Sequence, residues 1–441
     1  MLKAVFENEI FKNISWQWFS VLITASSGFI QSIFIARSIG VYEFGLFALA
    51  MGVASLAMQL LDIRYLDVLV KHLSEFREGK TENICLSLIF LSFVYAAIAY
   101  IIVLLLLLLF GDAIQGILFS EEKYSTIKTL LILCLSNVFI NVHLYPIFQS
   151  VFRVYSRVKA LSILTACLYT ARLCMVVVML WYLGLGLVSA LIALLCVNIL
   201  FLFFYGAIAI RVLLSDTDTR FSYKSSLLVL KNQHLRKFIK NIYFTSLFSI
   251  PSKELDINIL GIMADPAQIG VYRIAKNFYA VIWAFIDPVV LVLYADLTKK
   301  YIAKEYKEIV FLIRNVSIAG FITSVLMILL ALVGFEYIIS FTVGDDFQDA
   351  KNLFCVMLGG SIIWASFIWI YPVLLFLGET QIIFKTTLIS GISSACLFYL
   401  LTLQYGVLGT TVAYSLTPVI VSILQIIDLR NCNSFKPIRQ C

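Results

Sequence analysis

The feature that most constrains this chain is the recurrence of apolar stretches long enough to cross a lipid bilayer. A spanning helix needs about 20 mostly apolar residues, and residues 84–110 are typical of the series. The chain is 61% hydrophobic and 13% charged, whereas a soluble domain is about half apolar and a quarter charged. It cannot bury that much apolar surface in a core of its own. A soluble enzyme, a nucleic-acid-binding protein, a disulfide scaffold and a disordered chain are therefore excluded.

The hydropathy pattern predicts an all-α membrane protein with twelve transmembrane helices. The first run lacks a small-residue cleavage site and is too long for a signal peptide, so we expect it to stay as a membrane helix. The predicted spans cover residues 14–36, 43–63, 84–110, 125–150, 160–183, 186–210, 240–262, 270–294, 312–335, 351–377, 385–405 and 406–428.

Basic residues fall almost entirely in every second loop of this arrangement. With both termini in the cytoplasm, most of the 33 Lys and Arg residues lie in cytoplasmic segments. The exterior loops hold Arg37, Lys123, Lys128 and Lys351. Cytoplasmic loops are enriched in Lys and Arg, so the pattern predicts an even number of spans with both termini cytoplasmic. The net charge of +7 is interpreted as a mark of topology.

Short motifs recur at an offset of about 225 residues, which indicates an internal repeat. Gly45 matches Gly270, and Pro146 matches Pro372. We therefore predict two six-helix lobes of the same topology, related by a pseudo-twofold axis along the membrane normal, with a pathway between them. The predicted domains are an N-terminal lobe at 1–210, a cytoplasmic linker at 211–239, and a C-terminal lobe with a short cytoplasmic tail at 240–441.

Polar residues follow one face of the first span and of the seventh. Spacings of three and four residues place side chains on one helical face. Helix packing explains Ser and Thr on such a face, whereas amides and carboxylates are more typical of a wet cavity. We predict that both faces line a substrate cavity, with packing as the alternative. The residues are Thr24, Ser27 and Gln31 in the first span and Ser249, Ser252 and Asp256 in the seventh.

The eighth span carries further candidates on one helical stripe. Arg273, Lys276, Trp283 and Asp287 share that face. Two cations inside a bilayer are costly unless they are hydrated or paired, which favours a cavity for Arg273 and Lys276. Snorkelling of the end residues to the headgroups is the alternative. Trp283 is more typical of packing than of a sugar-binding platform.

Three other charged residues complete the set. Arg172 lies in the middle of the fifth span, which favours a cavity over a buried ion pair. Lys253 either lines the cavity or pairs with Asp256, three residues further on. Asp62 aligns with Asp287 at the repeat offset, near the predicted cytoplasmic ends. We expect Asp62, Asp256 and Asp287 to act in ion coupling or gating.

One motif connects these features to a known family. Residues 36–40 (ARSIG) and 42–45 (YEFG) resemble the run A-R-x-[IL]-G-x-x-[ED]-[FY]-G of O-antigen and capsule repeat-unit flippases. These belong to the multidrug/oligosaccharidyl-lipid/polysaccharide exporter superfamily, and residues 267–272 resemble the start of its eighth helix. The resemblance implies a flippase in the bacterial inner membrane. It would move an undecaprenyl-pyrophosphate-linked oligosaccharide to the outer leaflet by alternating access.

The resemblance also implies a cationic lumen and coupling to H⁺ or Na⁺, with no other cofactor. The matching cations are Arg273 and Lys276, followed by Arg172 and Lys253. Because the first lobe offers Gln31 and no charge on its stripe, we expect the pyrophosphate to lie against the second lobe. We expect a monomer that contacts membrane lipid, with a polysaccharide polymerase and chain-length proteins as partners.

Other functions stay open at this stage. An exporter of another amphiphile or a drug would share the architecture. A major-facilitator transporter is disfavoured because residues 71–80 lack its Gly/Asp/Arg signature. Short exterior loops disfavour a membrane glycosyl-transfer enzyme. The sequence contains no nucleotide-binding P-loop, no H-E-x-x-H and no G-x-S-x-G motif, so neither an ATPase, a metal site nor a serine hydrolase is predicted.

Overall fold

The computed structural model describes residues 9–78, 82–119, 124–215, 233–432 and 435–439, and these ranges are helical without any strand. Two short π-helical turns, Ile140–Leu144 and Val178–Tyr182, interrupt the α-helices. The helices are α1 (Glu9–Leu60), α2 (Tyr65–Glu78), α3 (Glu82–Leu118), α4 (Tyr124–Phe139), α5 (Tyr145–Val154), α6 (Val158–Val177), α7 (Leu187–Ser215), α8 (Gln233–Ser249), α9 (Pro251–Met263), α10 (Pro266–Ile302), α11 (Tyr306–Thr342), α12 (Ala350–Ser366), α13 (Ile370–Phe376), α14 (Thr380–Asn431) and α15 (Lys436–Arg439).

Two helices of 52 residues each contain two predicted spans. α1 bends at Gly40, where φ is +81°, and α14 bends at Gly406, where φ is +58°. Positive φ angles are open to glycine because it has no Cβ to clash. α1 and α14 are therefore each two helices that meet at a glycine kink, and these kinks lie between the first two and the last two predicted spans.

Eight helical segments of the described chain are long and apolar enough to cross a membrane. Two of these segments contain the bent helices α1 and α14, so the eight account for ten of the predicted spans. The remaining two, the seventh and eighth, lie in α8–α9 and in α10. α8, α9 and α10 carry several intramembrane charges, such as Asp256 and Lys276. The chain is thus a multi-pass membrane protein in which the two least apolar spans are the most charged.

The chain packs as two units. Unit 1 comprises residues 1–38 and 50–247, and unit 2 comprises residues 39–49 and 248–441. In unit 1, α2 packs along α5 and α6 along α7. In unit 2, α11 packs along α12, and both α9 and α12 pack along α14. Most of the predicted linker at 211–239 lies outside the described residues, and its ends belong to α7 and α8.

The amphipathic helix α2 is absent from the prediction, which assigns its residues to a cytoplasmic loop. Its buried face carries Tyr65, Leu69 and Leu73, all of them at most 1% exposed. Its opposite face carries the half-exposed Lys71 and Glu75. A search for apolar spans misses such a helix because only one of its faces is apolar.

Candidate functional site

The charged residues of α9 and α10 meet inside unit 2. The Asp256 side chain is 1% exposed, and its Oδ2 accepts hydrogen bonds from Lys276 Nζ and from the Tyr272 hydroxyl, each at 2.6 Å. Lys276 Nζ also donates to the Lys253 carbonyl oxygen at 3.2 Å and lies 5.1 Å from the centre of the Tyr414 ring. A buried carboxylate is tolerated when it is paired and hydrogen-bonded. Asp256 and Lys276 therefore form a buried ion pair, covered by an aromatic face.

One oxygen of this pair is unused. Asp256 Oδ1 is buried and has no hydrogen-bond partner in the described part of the chain. Burying a carboxylate oxygen without a hydrogen-bond partner is costly.

The other predicted site residues of unit 2 do not take part in the Asp256–Lys276 ion pair. The Lys253 side chain is exposed, whereas the buried Asp256 carboxylate pairs with Lys276. Arg273 is half-buried next to this cluster. The Trp283 ring packs edge-on against Trp364, with ring centres 3.8 Å apart.

Two hydroxyl candidates of unit 2 lie beside the bend between α8 and α9. Ser249 and Ser252 are half-buried, and the Ser252 hydroxyl lies 3.3 Å from that of Ser394 on α14. That contact joins two helices, as expected for small polar residues in a membrane. The side chain of Asp287 lies outside the described residues.

In unit 1 the polar face of α1 borders a cavity of about 360 Å³. Thr24 lines it, whereas the buried Ser27 and the half-buried Gln31 do not. The wall opposite α1 comes from the end of α5 and the first turns of α6, and it includes Arg153. The first unit therefore does bring a cation to its polar stripe, from a residue that the sequence marks only as a loop cation.

Arg172 is 7% exposed in unit 1 and is held by neutral groups. Its Nε donates to Asn198 Oδ1 and its NH2 group donates to Asn141 Oδ1, both at 2.6 Å. Asn198 in turn donates to Asn137 Oδ1 at 2.8 Å, and the guanidinium lies 4.7 Å from the Tyr169 ring centre. Within the described residues the Arg172 guanidinium is held by amide oxygens and not by a carboxylate, so the ion-pair alternative is not formed.

Asp62 lies in the short turn between α1 and α2. One of its carboxylate oxygens accepts a hydrogen bond from the Arg64 backbone N–H at 2.8 Å. The Arg64 guanidinium pairs with Asp67, also at 2.8 Å. Asp62 thus stabilises the turn, and its expected role in gating stays a prediction.

Comparison of the sequence with known protein families identifies the family of this chain. Residues 10–294, nearly two thirds of the chain, match the family described as polysaccharide biosynthesis protein. The chain belongs to this family. The resemblance to polysaccharide exporters is thereby confirmed at the level of the family. No curated protein sequence matches the chain.

Solved structures share the fold of this polysaccharide biosynthesis family member at low sequence identity. Lipid II flippase MurJ in an inward closed conformation has a TM-score of 0.74 at 16% identity, with 95% of this chain and 88% of that chain covered. An inward-facing multidrug resistance MATE family transporter of the MOP superfamily has a TM-score of 0.70 at 11% identity, covering 95% and 96%. A MOP superfamily transporter from Pyrococcus furiosus has 0.58 at 14%, covering 95% of each. The predicted all-α membrane fold is confirmed.

Some residues of these clusters escape sequence reasoning. Tyr272 and Tyr414 look like ordinary aromatic residues of a span, and Asn141 and Asn198 look like isolated amides. The one available signal is the presence of several amides within apolar runs, since an amide in a membrane helix needs a partner. Which partner it finds depends on the neighbouring helix.

Proposed function

We propose that this member of the polysaccharide biosynthesis family is a flippase for an undecaprenyl-pyrophosphate-linked oligosaccharide, such as an O-antigen repeat unit. It would act in the bacterial inner membrane by alternating access. The observation that carries the proposal is that a polysaccharide biosynthesis sequence has the fold shared by a lipid II flippase and a MATE transporter. The family supports the class of cargo, and the fold supports transport across the membrane.

The chemistry of the described residues supports such a cargo. Transfer of a charged group into hydrocarbon costs several kcal/mol even after relaxation. Cations and hydroxyls on membrane helices replace part of the lost hydration, and Arg is suited to paired hydrogen bonds with phosphate. Arg273 is half-buried beside the acid–lysine pair of unit 2 and is our candidate for this role. The prenyl chain would stay in the lipid.

Ion coupling is assigned to Asp256. A proton or Na⁺ bound at Asp256 would neutralise the carboxylate and release Lys276, whose ammonium would then bind the cargo phosphate. Without the ion, Lys276 returns to Asp256. Asp62 and Asp287 stay candidates for gating. The expected partners, a polymerase and chain-length proteins, and the monomeric state belong to the same proposal.

The direct test uses purified protein in vesicles that contain undecaprenyl-pyrophosphate-linked oligosaccharide. Translocation is measured as the sugar that becomes accessible to an external lectin, with empty vesicles as the reference. We expect saturable translocation that depends on an imposed H⁺ or Na⁺ gradient. Export of an amphiphilic dye without movement of the glycolipid would favour the drug-exporter alternative. Formation of longer glycans in the vesicles would favour a glycosyl-transfer enzyme.

A single substitution tests the assigned phosphate contact in the same vesicles. Arg273→Ala should slow translocation about tenfold, because a charge-assisted hydrogen bond contributes about 1.5–3 kcal/mol. Lys276 is left intact, since its loss would leave Asp256 unpaired. Arg314→Ala is the matched control, because Arg314 is an exposed cation of unit 2 that stacks on Phe311. Equal rates for both variants would remove Arg273 from the mechanism.

A further inference from the structure

The cavity of unit 1 combines one cation with an unusual number of neutral polar groups. Its lining includes a guanidinium, two carboxamides and four hydroxyls, and none of the described lining residues is acidic. Its volume of about 360 Å³ is within the range of small-ligand pockets. The polar lining residues are Gln17, Ser20, Thr24, Gln149, Arg153, Ser162 and Thr165.

The turn between α5 and α6 places Arg153 at this cavity. Ser156 adopts a positive φ of 54°, and the Arg157 N–H donates to the Phe152 carbonyl oxygen at 2.7 Å. This sharp reversal folds α6 back toward α1, where Lys159 Nζ lies 5.0 Å from the Trp16 ring centre. Arg153 is thereby held opposite the polar face of α1 by backbone geometry.

The guanidinium of Arg153 remains able to bind an anion. Asp67 acts on it electrostatically. However, the Asp67 carboxylate is already paired with the Arg64 guanidinium at 2.8 Å. Guanidinium groups form paired hydrogen bonds with phosphate oxygens, which makes a phosphate a suitable partner.

The hydroxyl of Thr24 gives a second, independent indication of a ligand. Its Oγ1 is buried and has no hydrogen-bond partner in the described part of the chain. Most buried hydroxyls are hydrogen-bonded, so an unpartnered one calls for an explanation. By contrast, Thr165 on the opposite wall bonds to the Leu161 carbonyl oxygen and to the Tyr205 hydroxyl. Rotation of the Thr24 side chain toward the cavity would therefore present a hydroxyl to a ligand without breaking a hydrogen bond within the described part of the chain.

We propose that this cavity is a subsite for a phosphorylated sugar, in which Arg153 binds the phosphate while Thr24 and the two glutamines bind hydroxyls of the adjoining sugar. The proposal rests on the proposed function, because phosphate and first sugar are neighbours in a lipid-linked oligosaccharide. It adds a contact in unit 1 to the phosphate contacts proposed for unit 2. Two sources share this chemistry, the prenyl-linked sugar and the headgroup of an anionic phospholipid.

The test measures binding to the full-length protein in nanodiscs with three probes. They are undecaprenyl pyrophosphate, the same lipid carrying one sugar, and phosphatidylglycerol. Arg153→Gln should weaken binding of both prenyl probes at least tenfold, since charge-assisted bonds are lost. Arg157→Gln is the matched control, because it is an exposed cation of the same turn outside the cavity lining. Equal losses in both variants, or a loss for phosphatidylglycerol of the same size, would overturn the subsite.

Thr24→Val separates sugar recognition from phosphate recognition. It should weaken the sugar-bearing probe by about three- to tenfold, the effect of one neutral hydrogen bond, and leave undecaprenyl pyrophosphate unchanged. The thermal midpoint should not fall, because the hydroxyl has no protein partner. Unchanged binding of all probes by both cavity variants, in a protein that translocates the glycolipid, would reject the subsite and leave the flippase intact. A wild type that neither binds nor translocates it would reject the flippase itself.

Discussion

The two units of this polysaccharide biosynthesis family member accommodate intramembrane charge in opposite ways. In unit 2, Lys276 is neutralised by a titratable partner, Asp256, at 2.6 Å. In unit 1, Arg172 is held at the same distance by amide oxygens of Asn141 and Asn198, which do not titrate. The two buried cations therefore differ in the groups that hold them, which are a carboxylate for Lys276 and amides for Arg172.

The difference also separates two kinds of cost. An ion pair buries two charges that cancel, and it becomes unfavourable when either partner is lost. An arginine among amides keeps its net charge, and charge-assisted hydrogen bonds together with an aromatic face offset the desolvation. Substitutions at the two sites should therefore differ in whether a second substitution can restore stability.

The largest effect is expected at the acid–lysine pair. Asp256→Asn leaves the ammonium of Lys276 without its counter-ion and should lower the free energy of unfolding by about 3–5 kcal/mol. The measurement is thermal unfolding of the purified protein in detergent. The double variant Asp256→Asn with Lys276→Met should recover most of the loss, because neither charge is left unpaired.

The exposed pair of Lys385 with Asp428 in the same unit is the control. Its atoms are 2.9 Å apart, but the lysine side chain is 58% exposed. Lys385→Met should therefore cost about 1 kcal/mol or less. For the buried pair, the double variant Asp256→Asn with Lys276→Met must be at least as stable as Asp256→Asn alone. A lower stability would show that Asp256 and Lys276 do not compensate each other.

A smaller effect is expected at the arginine of unit 1. Arg172→Leu removes two charge-assisted hydrogen bonds and leaves amide oxygens unpaired, which should cost about 2–3 kcal/mol. A second apolar substitution should not restore this stability. The double variant Arg172→Leu with Asn198→Leu should stay destabilised, because the side-chain oxygens of Asn137 and Asn141 still lack donors. Thermal unfolding again gives the readout. Full recovery of stability in that double variant would show that Arg172, like Lys276, depends on a single compensating partner.

The smallest effect concerns backbone packing rather than charge. A Cβ at Gly45 would collide with the Pro266 carbonyl oxygen, within unit 2. Gly45→Ala should cost roughly 1–3 kcal/mol because the two helices must separate. A Cβ at Gly334 would meet nothing within 4 Å, so Gly334→Ala should be neutral or stabilising through its helix propensity. A stability gain at Gly45 would show that this close approach is not needed.

Several elements could be predicted from single helices. Long apolar runs marked the spans, and spacings of three and four residues identified the polar faces that carry Thr24 and Asp256. The motif at residues 36–45 was sufficient to suggest the family. Such features depend on residues close in sequence. Their prediction requires no knowledge of which helix lies beside which.

Other elements depended on contacts between helices. Lys253 is only three residues from Asp256 in the sequence. The ion pair of Asp256 is nevertheless with Lys276, which lies on the following helix. Arg153 counted as a topological cation at the end of a span, whereas a sharp turn places it at a polar cavity. The helix at Tyr65–Glu78 was missed because only one of its faces is apolar, so a search for long apolar runs passes over it.

Local sequence patterns are enough to predict that the chain crosses a membrane many times, where its spans lie and which helix faces are polar. Those properties are sums over neighbouring residues, because hydration and helical periodicity act locally. Only the tertiary structure decided which cation meets Asp256, what surrounds Arg172 and which side chains enclose the cavity of unit 1. A hydrogen bond requires two groups within about 3 Å, and helices distant in sequence reach that proximity only through their packing.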